Sequence, residues 1–247
     1  AVLFCVYSRS RWMDFQHGSE LRLEYVGDEI RYISCRVSTH KTMHASAFRF
    51  RSLELCAPAV GVVDSDWIGS WMDARATVGI QDGYPPMPAP SVEGKPTVRP
   101  LGTDECGAWL RLLLQMNPVA SQNEVRITSH SCKCTILSYA AKRGLPHDER
   151  LVLGHHAHQG RMADVYARDA EARPMRMMEE LLNEIRSKRF FPDESRAGRL
   201  VDVSAVDVIE KPGSAAHPFD LSGKAEKVKQ QSDEAGWECI SVESSAS

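Results

Sequence analysis

The sequence predicts an α+β fold, mainly α, with a small antiparallel β-sheet near the N-terminus and a disordered C-terminal tail. Three observations carry that expectation. Between residues 20 and 42, apolar and polar residues alternate on either side of Gly27-Asp28, the period-2 signature of a half-buried hairpin. Further along, apolar residues recur at three- and four-residue spacing in several stretches, as helices packed by one face require. From about residue 201 the chain is rich in Ser, Glu, Lys and Ala and loses its periodicity. Such a segment buries too little apolar surface to offset chain entropy.

In chain order, AVLFCVY and then SRSRWMDFQH read as a helix and a turn over residues 1–17. Trp12 and Phe15 pack inward, and Arg9 or Arg11 is carried to a pocket. Asp14, three residues after Arg11, is placed to hold its guanidinium. In the hairpin Leu21, Leu23 and Tyr25 alternate before the turn, Ile30, Tyr32 and Ile33 resume after it, and Lys41 sits at its far end. LELCAP, within residues 43–63, is a candidate short strand. Residues 64–76 suit a helix capped by Asp64 or Ser65 with Trp67, Ile68, Trp71 and Met72 on one face. Residues 78–100 hold six prolines and read as an ordered loop or linker. Thr103 caps a helix through Leu114, with Trp109, Leu110, Leu113 and Leu114 facing inward. A helix beginning at Pro174 has Met175, Met178, Leu181, Leu182 and Ile185 at a period near 3.6. FFPDESRAGRL follows it, with Arg196 and Arg199 exposed. These elements define one domain over residues 1–200 and an acidic, mostly disordered tail over 201–247. The opening AVLFCVYSRSRW reads as the interior of a longer protein.

The 247 residues include seven scattered cysteines, an odd number that favours reduced thiols and an intracellular setting. No run of eighteen apolar residues is present, so no membrane-spanning helix is expected. The net charge is −3, but it is unevenly spread. Residues 201–247 hold nine acidic and four basic residues, which leaves 24 acidic and 26 basic before them. A mildly basic domain with an acidic tail permits contact with nucleic acid.

Chemistry concentrates between Thr128 and Asp169. Thr128 and Ser129 suit the start of a helix that Gly144 ends, with Lys142 and Arg143 in its last turn. His130 and Lys133 are three residues apart, neighbours on one helical face. A donor imidazole and an ammonium there form a phosphate cradle. Pro146 opens a second helix that ends near Gly154 and leaves His155 and His156 at its exit. A short helix over Met162–Ala167 carries Tyr166. A phenol with a pKa of about 10 is a weak nucleophile at neutral pH. Cations that neutralise a phosphate, with an acid or base in reach, supply what it lacks. The set needs no metal and no other cofactor.

This order of residues resembles the catalytic domain of the tyrosine recombinase (phage integrase) family. His130-x-x-Lys133, Leu153-Gly154-His155 and Tyr166 are similar to the family's His-x-x-Arg helix, Leu-Gly-His step and nucleophile. Arg11, with Asp14 three residues on, resembles the first arginine and the acid after it, with Arg9 the other possibility. Lys41 resembles the hairpin lysine, and His156 is the alternative to His155. TSHSCKCTILSYAAKRGL, LGHH and FFPDESRAGR look like the divergent members carried by eukaryotic mobile elements. The resemblance implies that Tyr166 attacks a DNA phosphodiester to form a 3′-phosphotyrosyl link. Arg11, Lys133 and His155 would stabilise the phosphate, Lys41 would protonate the leaving 5′-oxygen, and His130 would assist proton transfer. It also implies double-stranded DNA as partner, a homotetramer on two duplexes, no membrane contact, and a nuclear setting if the source is eukaryotic. Two departures stand out. Lys133 takes an arginine's place, and an ammonium cannot make the planar two-pronged contact to phosphate oxygens. Nothing before Arg11 resembles the family's N-terminal DNA-clamping domain.

Two other readings remain open. In one, the chain is a decayed recombinase fold that binds DNA without cutting it. In the other, Cys132, Cys134, His155, His156 and His158 serve a zinc-binding structural domain, although a Cys-x-Cys pair on a helix sends its thiols in different directions.

Overall fold

The computed structural model of the protein describes residues 1–39, 52–116, 127–155 and 171–201. In chain order these form α1 (Val2–Tyr7), α2 (Trp12–Phe15), β1 (Gly18–Val26), β2 (Glu29–Val37), β3 (Leu53–Pro58), α3 (Trp67–Thr77), β4 (Pro88–Pro90) and β5 (Pro96–Pro100). Then come α4 (Thr103–Gln115), α5 (Ser129–Arg143), α6 (His147–Leu153), α7 (Ala172–Arg186), β6 (Phe190–Phe191) and β7 (Arg199–Leu200). The fold is mixed α and β, mainly helical, with a small antiparallel sheet near the N-terminus. Lys41, the expected helix over Met162–Ala167 and the expected disorder of the tail lie outside the described residues.

The sheet has the order β1-β2-β3, with both pairings antiparallel. Gly27 takes a φ of 62° at the β1–β2 turn, which a residue without a Cβ adopts at little cost. LELCAP is strand β3 and pairs Leu55 with Cys35 and Ala57 with Ile33. All four of these residues are fully buried, so the β2–β3 pair supplies one wall of the core.

The N-terminal stretch differs from the single helix expected. It breaks at Ser8–Arg11 into α1 and α2, and Arg9 adopts a left-handed φ of 53°. The break turns α2 so that Phe15 stacks on Phe4 with ring centroids 4.9 Å apart. Trp12 then lies 5.3 Å from Phe15 and donates its indole N–H to the Leu101 carbonyl at 2.8 Å. Trp67 of α3 packs 5.5 Å from Tyr7 and donates to the Ala59 carbonyl at 3.0 Å. Both buried tryptophans thus keep a partner for the indole N–H.

Two helix starts fall slightly off their expected places. The cap of α3 is Asp66, whose carboxylate accepts from the Gly69 N–H at 2.8 Å. The cap of α4 is Gly102, whose N–H is taken by the Glu105 carboxylate at 2.8 Å. The inner face of α4 is also rotated from expectation. Cys106, Gly107 and Leu110 are buried, while Trp109 and Leu113 are exposed. Small Cys106 and Gly107 let α4 lie close to α2 and α5, which turns the bulkier side chains outward. The proline-rich loop is ordered and contains the β4–β5 ribbon.

The C-terminal half follows the sequence more closely. Thr128 caps α5, and Gly144 ends it with a φ of 89°. Met175, Met178, Leu181 and Leu182 are buried on α7. Arg143 makes a two-pronged pair with Glu184 at 2.5 and 2.8 Å, fixing the end of α5 to α7. Arg31 of β2 reaches Glu179 of α7 at 2.7 Å, bracing the sheet against the same helix. Arg196 and Arg199 are exposed as expected.

Candidate active site at the α1–α2 junction

The break between α1 and α2 is a buried polar turn, with Ser8, Arg9 and Ser10 all nearly inaccessible. Three elements distant in sequence converge on it. Arg9 spans the gap between them. Its Nε donates to the Leu153 carbonyl at 2.9 Å, and its Nη1 donates to Tyr7 at 2.6 Å and Cys56 at 3.3 Å. The same nitrogen lies 3.2 Å from the Met178 sulfur. Burial lowers the Arg9 guanidinium to about 10, an effect that the charge of Glu171 partly offsets. Arg9 stays charged at neutral pH and is spent on the protein's own carbonyls. Of the two arginines weighed for the first position, Arg9 is thus the less accessible to a ligand.

Arg11, two residues on, is the N-cap of α2 and keeps 29% of its side-chain surface exposed. It pairs with the buried Asp14 at 3.8 Å, one turn later, as the Arg-x-x-Asp spacing predicts. Arg11 is the guanidinium at this junction that solvent, and a ligand, can reach.

Lys133 approaches from α5. It is 5% exposed, and its Nζ donates to the Gly154 carbonyl at 2.6 Å. Its pKa falls to about 8, mainly because burial penalises the ammonium and secondly because of the Arg11 charge, with Asp14 acting in the opposite direction. The Arg11 charge therefore acts on Lys133. His130, one turn earlier on α5, is exposed. The two do not share one environment: Lys133 points into the junction while His130 faces solvent.

His155 arrives from the end of α6. Gly154 is the C-cap, and His155 takes a left-handed φ of 54°. Its ring Nε2 lies 2.8 Å from the Ser8 carbonyl. A carbonyl only accepts, so Nε2 carries the proton. The other ring nitrogen lies 4.0 Å from the Glu171 carboxylate. Lys41, His156 and Tyr166 lie outside the described residues.

Three of the six expected site residues, Arg11, Lys133 and His155, therefore border the same buried turn. Positive groups gather here against Asp14 and Glu171, an arrangement that suits an anion carrying one charge. Lys133 and His155 already hold backbone carbonyls, so an incoming phosphate oxygen competes with Gly154 and Ser8 for their protons. The roles of Arg9 as an internal staple and of Glu171 as the acid beside His155 were not anticipated from the sequence. The left-handed turn at Arg9 is the feature behind the first, and no local sequence signal marks it. As for zinc, Cys132 is buried while Cys134 is exposed. Among the described residues no group of three His, Cys, Asp or Glu side chains is placed to hold a metal. Comparison with family models, curated proteins and solved structures returned no match for this chain.

Proposed function

We propose that this chain is a DNA breaking-and-rejoining domain of the tyrosine recombinase type. The observation that carries the reading is the junction of Arg11, Lys133 and His155. Arg11 comes from a distant part of the chain, yet it, Lys133 and His155 all border the α1–α2 turn, which supports the reading. In this reading Arg11, Lys133 and His155 neutralise the scissile phosphate of double-stranded DNA. Tyr166 attacks the phosphorus, displaces the 5′-oxygen and holds the 3′ end covalently. His130, exposed one turn from Lys133, assists proton transfer. Attack by a 5′-hydroxyl reverses the step, so rejoining needs no added energy source. A homotetramer on two duplexes accomplishes exchange, in the nucleus if the source is eukaryotic.

The test is a covalent trap. The chain is incubated with a pool of nicked duplexes of varied sequence, and SDS-stable protein–DNA adducts are collected. The reading expects an adduct that disappears in Tyr166→Phe while DNA retention persists. A second reading, a recombinase-type fold that binds DNA without cutting, draws on the hydrogen bonds that occupy Lys133 and His155. It expects retention of DNA with no adduct from the unaltered chain. Absence of both retention and adduct removes both readings.

A further inference from the structure

We propose that the outer face of α4 is a dimer interface, on which a second copy of this chain packs its own α4 in antiparallel fashion. The inference goes beyond the recombinase reading and does not depend on it. Helix α4 carries two apolar faces. The inner one, where Cys106, Gly107 and Leu110 are buried, packs against α2 and α5. The outer one is formed by Trp109, Leu112, Leu113 and Met116, which are 42%, 59%, 56% and 71% exposed. Met116 is the C-cap and keeps helical backbone angles, so these side chains follow one another at i, i+3, i+4 and i+7 as a continuous stripe. Elsewhere in the described residues, exposed large apolar side chains come singly or in pairs along the chain.

The stripe is larger than a solvated helix face needs. Between Ala108 and Met116 the polar residues are Arg111 and Gln115. A helix that is apolar on nearly every side belongs in a buried setting, and the described residues leave its outer side open. The exposed stripe presents on the order of 400 Å² of apolar surface, an extent that marks an interaction site on a soluble protein. Two such stripes with their rims come to about 1,000 Å², the lower end for a specific protein–protein contact. The residue types also fit, since tryptophan and methionine are enriched at interface cores. Glu105, one turn before Trp109, is already paired with Arg99 at 2.7 and 2.8 Å, and so brings no uncompensated charge to the stripe.

Symmetry identifies the occupant. A twofold axis midway between Leu112 and Leu113 runs two copies of α4 antiparallel. Leu112 then meets Leu113 of the second copy, and Trp109 meets Met116 of the second copy, each contact occurring twice. A thioether against an indole is a favourable contact. The stripe is thus its own complement. A parallel pair would instead bring the acidic first turns, with Asp104 and Glu105, side by side and set the helix dipoles against each other. The antiparallel pair separates those turns and opposes the dipoles favourably.

Sedimentation of the full chain without DNA, across the micromolar concentration range, tests the proposal. A monomer–dimer equilibrium is expected. Leu112→Glu and Leu113→Lys are each expected to weaken it by roughly a hundredfold or more, because a symmetric contact takes each new charge twice into an apolar centre. Mixed one-to-one, the two variants are expected to associate again, since their opposite charges then face each other across the axis. Both positions are exposed, so the urea midpoint of the monomer is expected to stay near that of the unaltered chain. A chain that remains monomeric, a dimer that survives both substitutions, or no recovery on mixing overturns the proposal. So does a urea midpoint that falls sharply in Leu112→Glu, which would give the stripe to the chain's own residues. Loss of DNA retention in Leu112→Glu from a chain that is monomeric would give it to DNA and likewise overturn the dimer. The covalent trap reads the recombinase proposal separately: an adduct without a dimer overturns this inference alone, and a dimer without an adduct leaves it standing.

Discussion

Lys133 donates a 2.6 Å hydrogen bond to the carbonyl of Gly154, the residue immediately before His155. Arg9 does the same for the Leu153 carbonyl at 2.9 Å. Two cations from separate elements thus take consecutive carbonyls at the C-terminal end of α6, where unsatisfied acceptors and the helix dipole both attract positive charge. Held this way, the chain turns through the left-handed conformation of His155 and delivers its ring to the Ser8 carbonyl. The site is a helix end fastened by the residues that surround it.

Arg9 should therefore matter more to stability than any surface arginine. Arg9→Met retains an unbranched side chain of related length but leaves the Leu153 and Tyr7 carbonyls without their guanidinium donor. Each such loss costs about 1–3 kcal/mol, partly offset because a buried charge is also removed. The expected net loss is about 2–4 kcal/mol, read as a lower urea midpoint with an unchanged slope. Arg9→Lys is expected to recover little of it, because one ammonium cannot span α6, β3 and the α1–α2 turn together. A loss below about 0.5 kcal/mol, the range of ordinary surface substitutions, would show that the staple is not needed.

The brace between the sheet and α7 predicts an asymmetry. Glu179 is 5% exposed, whereas the Arg31 side chain that pairs with it is 47% exposed. Arg31→Ala leaves an interior carboxylate without its counter-ion, with the Tyr32 side chain beside it, while Glu179→Gln leaves an arginine that water solvates. Removing the exposed partner is thus expected to destabilise more than neutralising the buried one, by about 1–2 kcal/mol, since an unpaired buried charge is the costlier remnant. Paired thermal melts of the two variants decide the point, and an equal or reversed order would refute it.

Gly144 gives a smaller, sharper expectation. It ends α5 with a φ of 89°, and a Cβ there would meet nothing within 4 Å. Gly144→Ala therefore suffers from backbone strain without a clash and is expected to cost about 1 kcal/mol. Gly18→Ala, in contrast, drives a Cβ into Cys35 Sγ and to within 2.9 Å of the Phe15 carbonyl oxygen, and is expected to cost more than Gly144→Ala by the same melts. If the two cost the same, the close approach at Gly18 does not constrain the packing.

What was legible in the sequence follows from how local each signal is. The hairpin announces itself through alternation and Gly27-Asp28. Helix α7 does so through the spacing of Met175, Met178, Leu181 and Leu182, and α5 through Thr128 at one end and Gly144 at the other. Arg11 with Asp14 is legible because both partners lie within one turn. The N-terminal break is not, because a left-handed Arg9 is stabilised by Leu153 and Cys56, partners that no local window contains. The rotated face of α4 escapes for a related reason: small Cys106 and Gly107 are inside because α2 and α5 come close, and residue size alone points the other way. His130 and Lys133 read as one face from their spacing, yet tertiary packing buries one and exposes the other.

The final expectation concerns pH. The folded pKa of Lys133 is lowered to about 8, against about 10.4 for an unperturbed lysine. A cation whose pKa falls on folding opposes folding while it is charged. That cost is fully present below pH 8 and relieved as pH rises toward 10.4. Relative to Lys133→Met, which carries no titrating group, the unaltered chain is thus expected to gain stability between those pH values, by an amount on the order of 3 kcal/mol if the whole window is crossed. Urea midpoints of both proteins at pH 7.5 and pH 9.5 measure part of that gain, and the comparison with Lys133→Met cancels titrations elsewhere in the chain. A phosphate bound at the junction favours the ammonium and raises its pKa. On the proposed reading, saturating DNA is expected to shrink or abolish the gain, whereas an undiminished gain would count against a phosphate site at Lys133.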